Sequence, residues 1–570
     1  MNRNKLVLMS VLAMGIVFSG CNPLKKMKDK ASDVKYTVNP PVLELVGNDV
    51  AISINGSYPA GYFNKNVVMT LTPTLQGGGN ELAFDTYKVQ GENVKENNRV
   101  IKVDGGSFSY ASKVAYKPDF QLSELMLRAS AAKGAKSLDF DPYKLADGII
   151  TTCLLVEKNG KATYMPDKYV RIIPDSYEAD IKYLIQQSDV RTTEAKKLEI
   201  TEFTDAVKAA AENERINFTG TEFSAYASPD GPTELNEKLS NSREKTGLDF
   251  FTKNFNAAKV EDVMKSDLLK TVATPEDWDG FKKLMEESTI RDKELILRVL
   301  SMYSDPEVRE REIKNISAAF EEIKETILPQ LRRSKMLVNV EIVGLSDSEI
   351  NAQFDSDPSK LKLEEILYAG TLTQDANRKL SIYQAAARYY PNDCRTKNNF
   401  GVALLNLGRT DEAKTALNEA KSIEDNATVK NNLAVVALRE GNLAVAEELL
   451  NAAGATDDVK FNLGTIAIIQ GKYNEAISHF GNQVEVNAAL AKLLAKQNDA
   501  ALSTLNSVKS DDALVYYLKA IVGARTQNSD LLMNNLRTAC SKSNELKANA
   551  QKDAEFGKYL QDNTFKSIVQ

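Results

Sequence analysis

The sequence predicts a multidomain chain of three bodies: an N-terminal β-sandwich, a central α+β domain with a helical insertion, and a C-terminal α-solenoid. Three patterns carry this reading. Short runs of period two, separated by glycine and asparagine, fill residues 42–175, as strands do. Strand-like and amphipathic helical stretches alternate over 176–345, which reads as mixed α and β structure. Beyond residue 394 three stretches align with their small residues in register, the mark of stacked helical pairs that share one core. At 570 residues the chain is too long for a single core.

Composition narrows the function classes. With 43% hydrophobic and 26% charged residues the chain is not disordered throughout. A net charge of −6 with no concentrated cationic face argues against a nucleic-acid partner. The single histidine, His479, and four scattered cysteines with no CxxC exclude His-rich and Cys₂His₂ metal sites. No nucleophile–base pair, metal cluster or cofactor loop can be assembled, so the chain reads as non-enzymatic, with no catalytic residue, cofactor or metal.

The first segment is an address. In MNRNKLVLMSVLAMGIVFSG, Arg3 and Lys5 precede a short apolar run, Leu6 to Phe18, as in an export leader. The end of it, Phe18-Ser19-Gly20-Cys21, resembles a bacterial lipoprotein signal-peptidase box. That resemblance implies removal of residues 1–20 and acylation of Cys21, and buried acyl chains at about 0.8 kcal/mol per CH₂ make such attachment permanent. Asn22 stands where an aspartate would favour the inner membrane, and the following NPLKKMKDK is basic where surface-sent lipoproteins carry acids. The resemblance therefore implies the outer membrane, facing the periplasm. Residues 21–41, ending in Asn39-Pro40-Pro41, read as a tether, whose lysines either touch anionic head groups or are simply solvated. Three cysteines remain in the mature chain, enough for at most one disulfide and requiring none.

Over 42–175 the runs VLELV, VAISING, VVMTLTP, RVIKVDG, SFSYASKVAYKP, ITTCLLVEKNG and KYVRIIP predict about seven strands, an antiparallel sandwich of immunoglobulin-like plan. LSELMLRASAAKGAK (122–136) predicts an inserted helix. Gly77-Gly78-Gly79 lacks a following Gly-Lys-Ser/Thr, so it is a turn and not a phosphate loop.

The body at 176–345 starts with a strand in DIKYLIQQSDVR, continues with a helix over 194–212, and reaches a strand ending at Tyr226. TEFSAYASPDGPTELNEKLSNSREKTGLDFF (221–251) then resembles the OmpA C-terminal domain, with Asn236, Leu239, Ser240 and Arg243 in its helix motif. The resemblance implies a wall-binding site in which the arginine pairs with a carboxylate of the peptidoglycan stem peptide and an aspartate holds the amine. Arg243 stands in the arginine position; the aspartate position, fifteen residues earlier, is Ser228, with Asp230 two residues on. Either the site binds peptidoglycan, or Arg243 is a structural ion-pair residue in a scaffold. A helical insertion near 255–335 separates the motif from a last strand at 336–344. It contains a helix from Thr274 as N-cap and another over 309–331, with Glu310, Arg311 and Glu312 on a solvated face.

The stretches 398–420, 431–453 and 461–483 share three columns of small residues: Gly401, Ala434, Gly464; Gly408, Gly441, Gly471; and Ala413, Ala446, Ala476. The spacing of 33 and then 30 residues resembles tetratricopeptide repeats, whose unit is about 34. Weaker copies and a capping tail extend the array over 360–570. Asn399, Asn432 and Asn462 form a further column. In the repeat family that column faces the concave groove, where asparagines clamp a bound peptide; the other reading is a ladder bonding neighbouring helices. Together these resemblances imply a scaffold holding other envelope proteins in its groove, within an assembly or secretion complex, or else a tether joining the outer membrane to peptidoglycan.

Overall fold

In a computed structural model describing residues 23–570, the chain divides into two units. One joins the residues up to 165 with 386–570; the other is 166–385. The leader and Cys21 lie outside the described residues. The β body and the repeats, expected as separate domains, share the first unit.

Eleven described strands form the sheet of that unit: β1 (Lys35–Asn39), β2 (Val42–Val46), β3 (Asp49–Tyr58), β4 (Val68–Gly77), β5 (Asn80–Ala83), β6 (Tyr87–Gly91), β7 (Arg99–Ile101), β8 (Gly106–Ala115), β9 (Ser123–Lys133), β10 (Lys136–Asp139) and β11 (Tyr143–Ile150). Their order is β1-β3-β2-β11-β9-β4-β6-β7, with β8 on β3, β5 on β4 and β10 on β9. Alternation drives it: Val50, Ile52 and Ile54 of β3 share one core with Met69, Leu71, Leu125 and Leu127 of β4 and β9. Strand β2 pairs antiparallel with β3 and parallel with β11, so a single half-barrel sheet replaces the expected seven-strand sandwich. The glycine triplet is the β4–β5 hairpin turn, Gly77 facing Asn80.

Two expectations fail here for physical reasons. The segment expected as a helix at 122–136 is β9 and β10. Leucine, methionine and alanine favour helix locally, but β9 lies between β4 and β11, and its Leu125, Leu127 and Ala131 reach the core only in an extended chain. The expected tether is folded: Pro23–Asp29 is helical, with Leu24 and Met27 in the β core, and β1 pairs with β3.

The repeats follow the register of their small residues. Five helical pairs run from Cys394–Asn406 with Thr410–Ile423 to Ala513–Arg525 with Ser529–Lys542, closed by Asn544–Ala550 and Asn563–Val569. A Cβ on Gly401 would come within 2.6 Å of Leu417 and one on Gly464 within 2.7 Å of Phe480, so the first column permits close helix approach. Gly408, Gly441 and Gly471 end their helices at φ 74°, 77° and 78°, conformations costly to other residues.

The β body meets the C-terminal cap through polar groups. Gln121 donates to Asn549 at 3.1 Å and Thr152 to Glu555 at 2.6 Å, while Arg525 pairs with Glu555. Beside them Asp553, 2% exposed, accepts from the Tyr517 hydroxyl at 2.7 Å. Burial, together with the nearby Glu555 charge, pushes the Asp553 carboxyl up to about 6 from 3.8. The folded chain therefore holds an extra proton between those values. This contribution to stability is complete below the unfolded value and is lost as pH rises through the folded one. Stability should be greater near pH 5 than near pH 7.5 by about 1.4 kcal/mol from this group, and Asp553→Asn should flatten that slope in thermal melts. An unchanged slope in the variant assigns the dependence elsewhere.

The second unit carries a four-stranded sheet, β12 (Ile172–Lys182), β13 (Ile216–Tyr226), β14 (Leu269–Thr274) and β15 (Arg333–Val343), in the order β12-β15-β13-β14. The helices Leu198–Ala211 and Thr233–Ala258 pack Phe203, Val207, Phe251 and Phe255 against Phe223, Met336 and Val338 of the sheet. The insertion supplies β14, parallel to β13, and then helices with a core of their own around Phe281, Met285, Ile296 and Ile323. Thr274 ends β14, and Asp277 caps the next helix by accepting from Gly280 N at 2.9 Å. The helix expected over 309–331 is broken into three, Pro306–Lys314, Ser317–Thr326 and the single-turn helix Leu328–Leu331.

Candidate functional site

The first helix of each of the first four pairs holds an extended segment of the same unit. Residues 157–165 run along these helices in the direction opposite to the array. Asn399 accepts from Met165 N at 2.7 Å and donates to Met165 O at 2.9 Å. Asn432 does the same to Thr163, at 2.7 and 2.8 Å, and Asn462 to Lys161, at 2.7 and 2.9 Å. Each repeat thus grips alternate residues of an extended chain, which advances about 6.6 Å per two residues. The contact is to backbone amides and carbonyls, so it sets direction and register without reading side chains.

The asparagine column is also a ladder. Asn432 donates to Asn398 at 2.8 Å, and Asn462 to Asn431 at 3.0 Å. Asn398 and Asn431 in turn reach Thr163 O and Lys161 O at 3.2 and 3.1 Å. The amide NH₂ has two hydrogens and the oxygen two lone pairs, so one side chain satisfies both the strap and its neighbour. The two readings of the column are therefore not alternatives.

A fourth clamp escaped the sequence reading. Asn487 accepts from Glu157 N at 3.0 Å and donates to Glu157 O at 2.8 Å. It lies 25 residues after Asn462, off the repeat spacing, but Ala489 two positions on matches the small residue that follows every other clamp by two. Between the third and fourth clamps the strap uses four residues where elsewhere it uses two. The extra length is taken up at Gly160, whose φ is 67° and whose added Cβ would press on Val435 at 3.0 Å and Asn462 at 3.2 Å. Asn159-Gly160 is thus a bend inside the strap and not a hairpin turn between strands.

Side chains fasten the strap further. Lys161 pairs with Glu485 and lies 4.6 Å from the Phe461 ring centre. Thr163 donates to Asp458 at 2.6 Å, Tyr164 accepts from Asn406 at 3.0 Å, and Arg439 donates to Asn159 O at 2.8 Å. Val156 and Met165 are buried at its ends. Beside Thr163 a cleft of about 200 Å³ remains, lined by Thr428, Asn431, Thr456 and Asp458.

The motif residues of the second unit are occupied differently. Arg243 is 1% exposed. It donates to the carbonyls of Gln187 at 3.0 Å, Tyr226 at 2.8 Å and Leu184 at 3.4 Å, and its guanidinium lies 5.1 Å from the Tyr183 ring centre. Burial lowers its pKa to about 10, with Tyr183 opposing the shift and Arg332 adding to it. Asp230 is held by Arg332 at 3.1 Å, and Ser228 accepts from the same guanidinium at 3.2 Å while donating to Asp230. Asn236 donates to Gly231 O at 3.3 Å. Glu310, expected on a solvated face, accepts from Gly231 N at 2.7 Å. Arg332 and Glu310 were missed because only the fold brings residues so distant in sequence to this loop.

Cys153, Cys394 and Cys540 are buried free thiols, and burial pushes Cys153 and Cys394 up to about 11, where little thiolate forms. Among the described residues no group of acids, histidine and cysteines is placed to hold a metal, and no helix is long and apolar enough to cross a membrane.

A tetratricopeptide-repeat family model matches residues 395–426. No curated protein matches the chain. Among solved structures, a tetratricopeptide repeat protein from Parabacteroides merdae ATCC 43184 is 13% identical, with 39% of this chain and 89% of that one covered and a TM-score of 0.29. PilW, a type IV pilus biogenesis factor, is 14% identical over 39% of this chain and 89% of its own, TM-score 0.22. YrrB, described as having an unusual peptide-binding site, is 15% identical over 36% of this chain and 100% of its own, TM-score 0.20.

Proposed function

We propose that the protein is a non-enzymatic scaffold of the outer membrane, anchored through acylated Cys21 and facing the periplasm, whose repeat array engages other envelope proteins. One observation supports the groove as the engaging surface: its asparagines grip an extended backbone at alternate residues through main-chain groups. A surface of that kind accepts a partner segment able to lie extended in the same register, with Glu485, Asp458 and Asn406 favouring basic and hydroxyl side chains beside it. The strap 157–165 is the resident occupant, and a partner enters by taking its place.

A photo-crosslinking residue at Thr428, beside strap residue Thr163, tests this. In purified protein the adduct should fall within 157–165. In intact envelopes a second, intermolecular adduct should appear and identify the partner. Intramolecular adducts alone, in cells as in the purified chain, would make the strap a permanent part of the array and overturn the groove as a partner site.

A further inference from the structure

The anchor proposed at Cys21 has almost no chain behind it. The Pro23–Asp29 helix begins two residues after the cysteine, and its Leu24 and Met27 are each 2% exposed within the β core. Lys28 fixes its far end, donating to Asp139 O at 3.0 Å and pairing with Asp141 at 3.2 Å. Two residues of extended chain span at most about 7 Å, less than the roughly 8 Å screening length at physiological salt. An acyl chain on Cys21 therefore brings this face of the β body against the head groups.

That face is cationic and notched. Lys25 and Lys26 are exposed on the helix. A cleft of about 350 Å³ lies between the helix and the 61–66 segment, lined by Pro23, Lys26, Tyr62, Asn64, Lys65 and Asn66. The two lysines and two asparagines offer ammonium and amide donors, the chemistry that holds a phosphate. Lys65 is paired only loosely, 3.8 Å from Glu92 at the surface, an interaction that gives way at little cost. We infer that the β body is seated directly on the bilayer by this face, with the phosphate of an anionic phospholipid head group in the cleft between Lys26 and Lys65.

This rests on the reading of Cys21 as the anchor, and the experiment separates the two. Mass spectrometry of the mature N-terminus first establishes whether Cys21 is acylated; an unmodified cysteine removes the anchor reading itself. Acylated protein carrying Asn93→Cys, at an exposed residue beside Asn66 but outside the cleft lining, labelled with a fluorophore while the native thiols stay buried, is then placed in vesicles containing nitroxide-bearing head groups. Vesicles rich in phosphatidylglycerol should quench the label strongly, and phosphatidylcholine vesicles less. Lys26→Glu with Lys65→Glu should abolish that preference, each lysine being worth about fivefold in surface partition. Both side chains are exposed, so circular dichroism should match the parent. An acylated protein whose label is unquenched, or quenched alike in both vesicles and in the charge-reversed variant, would overturn the seated face.

Discussion

Replacing Asn399, Asn432 and Asn462 together by alanine should destabilise the first unit strongly. Each substitution removes one donor and one acceptor that meet the strap backbone, and the ladder bonds between neighbouring helices go with them. A buried amide or carbonyl left without a partner costs about 1–3 kcal/mol. The three sites share one network, so their effects should not add. The total is bounded by the strap's whole docking energy, because a detached strap is satisfied by water. A loss of about 3–6 kcal/mol is expected on that basis. Thermal melts should shift down cooperatively, and the amides of Lys161, Thr163 and Met165 should exchange with solvent far faster than in the parent. Gly160→Val attacks the same contact from the strap side, through its φ of 67° and its approach to Val435, and should reproduce the effect with every asparagine in place. A triple variant that melts like the parent and still protects those amides would show that the clamps do not hold the strap.

What could be read beforehand follows from where each signal resides. The small-residue columns were legible because close helix approach imposes itself at every repeat: Gly401, Ala434 and Gly464 occupy one packing position. Strands β13 and β15 were legible for a similar reason, each carrying its own apolar alternation. Strand β12 was not: its first residues read as part of the β body and its last as a strand over 180–191, because its outer half is exposed and lacks alternation. The asparagine column was legible as a column, but its occupant was not. Lys161-Ala162-Thr163-Tyr164-Met165 has neither strand alternation nor helical period, because its hydrogen bonds go to side-chain amides and not to a ladder. Strand β14 was hidden as well, with its six residues largely outside the core. Strand β9 misled the reading because helix-favouring residues were overruled by its central place in the sheet. At Arg243 the sequence offered a choice between ligand binding and structure. That choice turned on which groups the fold brings to the guanidinium, and no spacing in the chain encodes them.

Arg243→Ala should be the most damaging single substitution in the second unit. The guanidinium donates to three carbonyls on two segments, Leu184 and Gln187 in the turn after β12 and Tyr226 at the end of β13, and its stem fills a site 1% exposed. Alanine leaves the Tyr226 carbonyl without its donor, at about 1–3 kcal/mol, frees the turn that carries the exposed Leu184 and Gln187, and opens a cavity that adds about 2–5 kcal/mol. The expected cost of about 4–8 kcal/mol approaches the whole stability of an ordinary domain. Lysine restores the charge and much of the stem but cannot fork to three acceptors, so Arg243→Lys should recover only part. A wall-binding defect in Arg243→Ala would therefore report unfolding and not recognition. The discriminating variant is Asp230→Asn, which removes the charge from a carboxylate already held by Arg332 and should leave the fold intact. With Asp230 satisfied by Arg332 and Arg243 by carbonyls, the parent and Asp230→Asn should sediment with purified sacculi equally weakly. Tight sedimentation of the parent, lost in a normally melting Asp230→Asn, would establish peptidoglycan as a ligand and require Arg332 to yield its place to the stem peptide's amine.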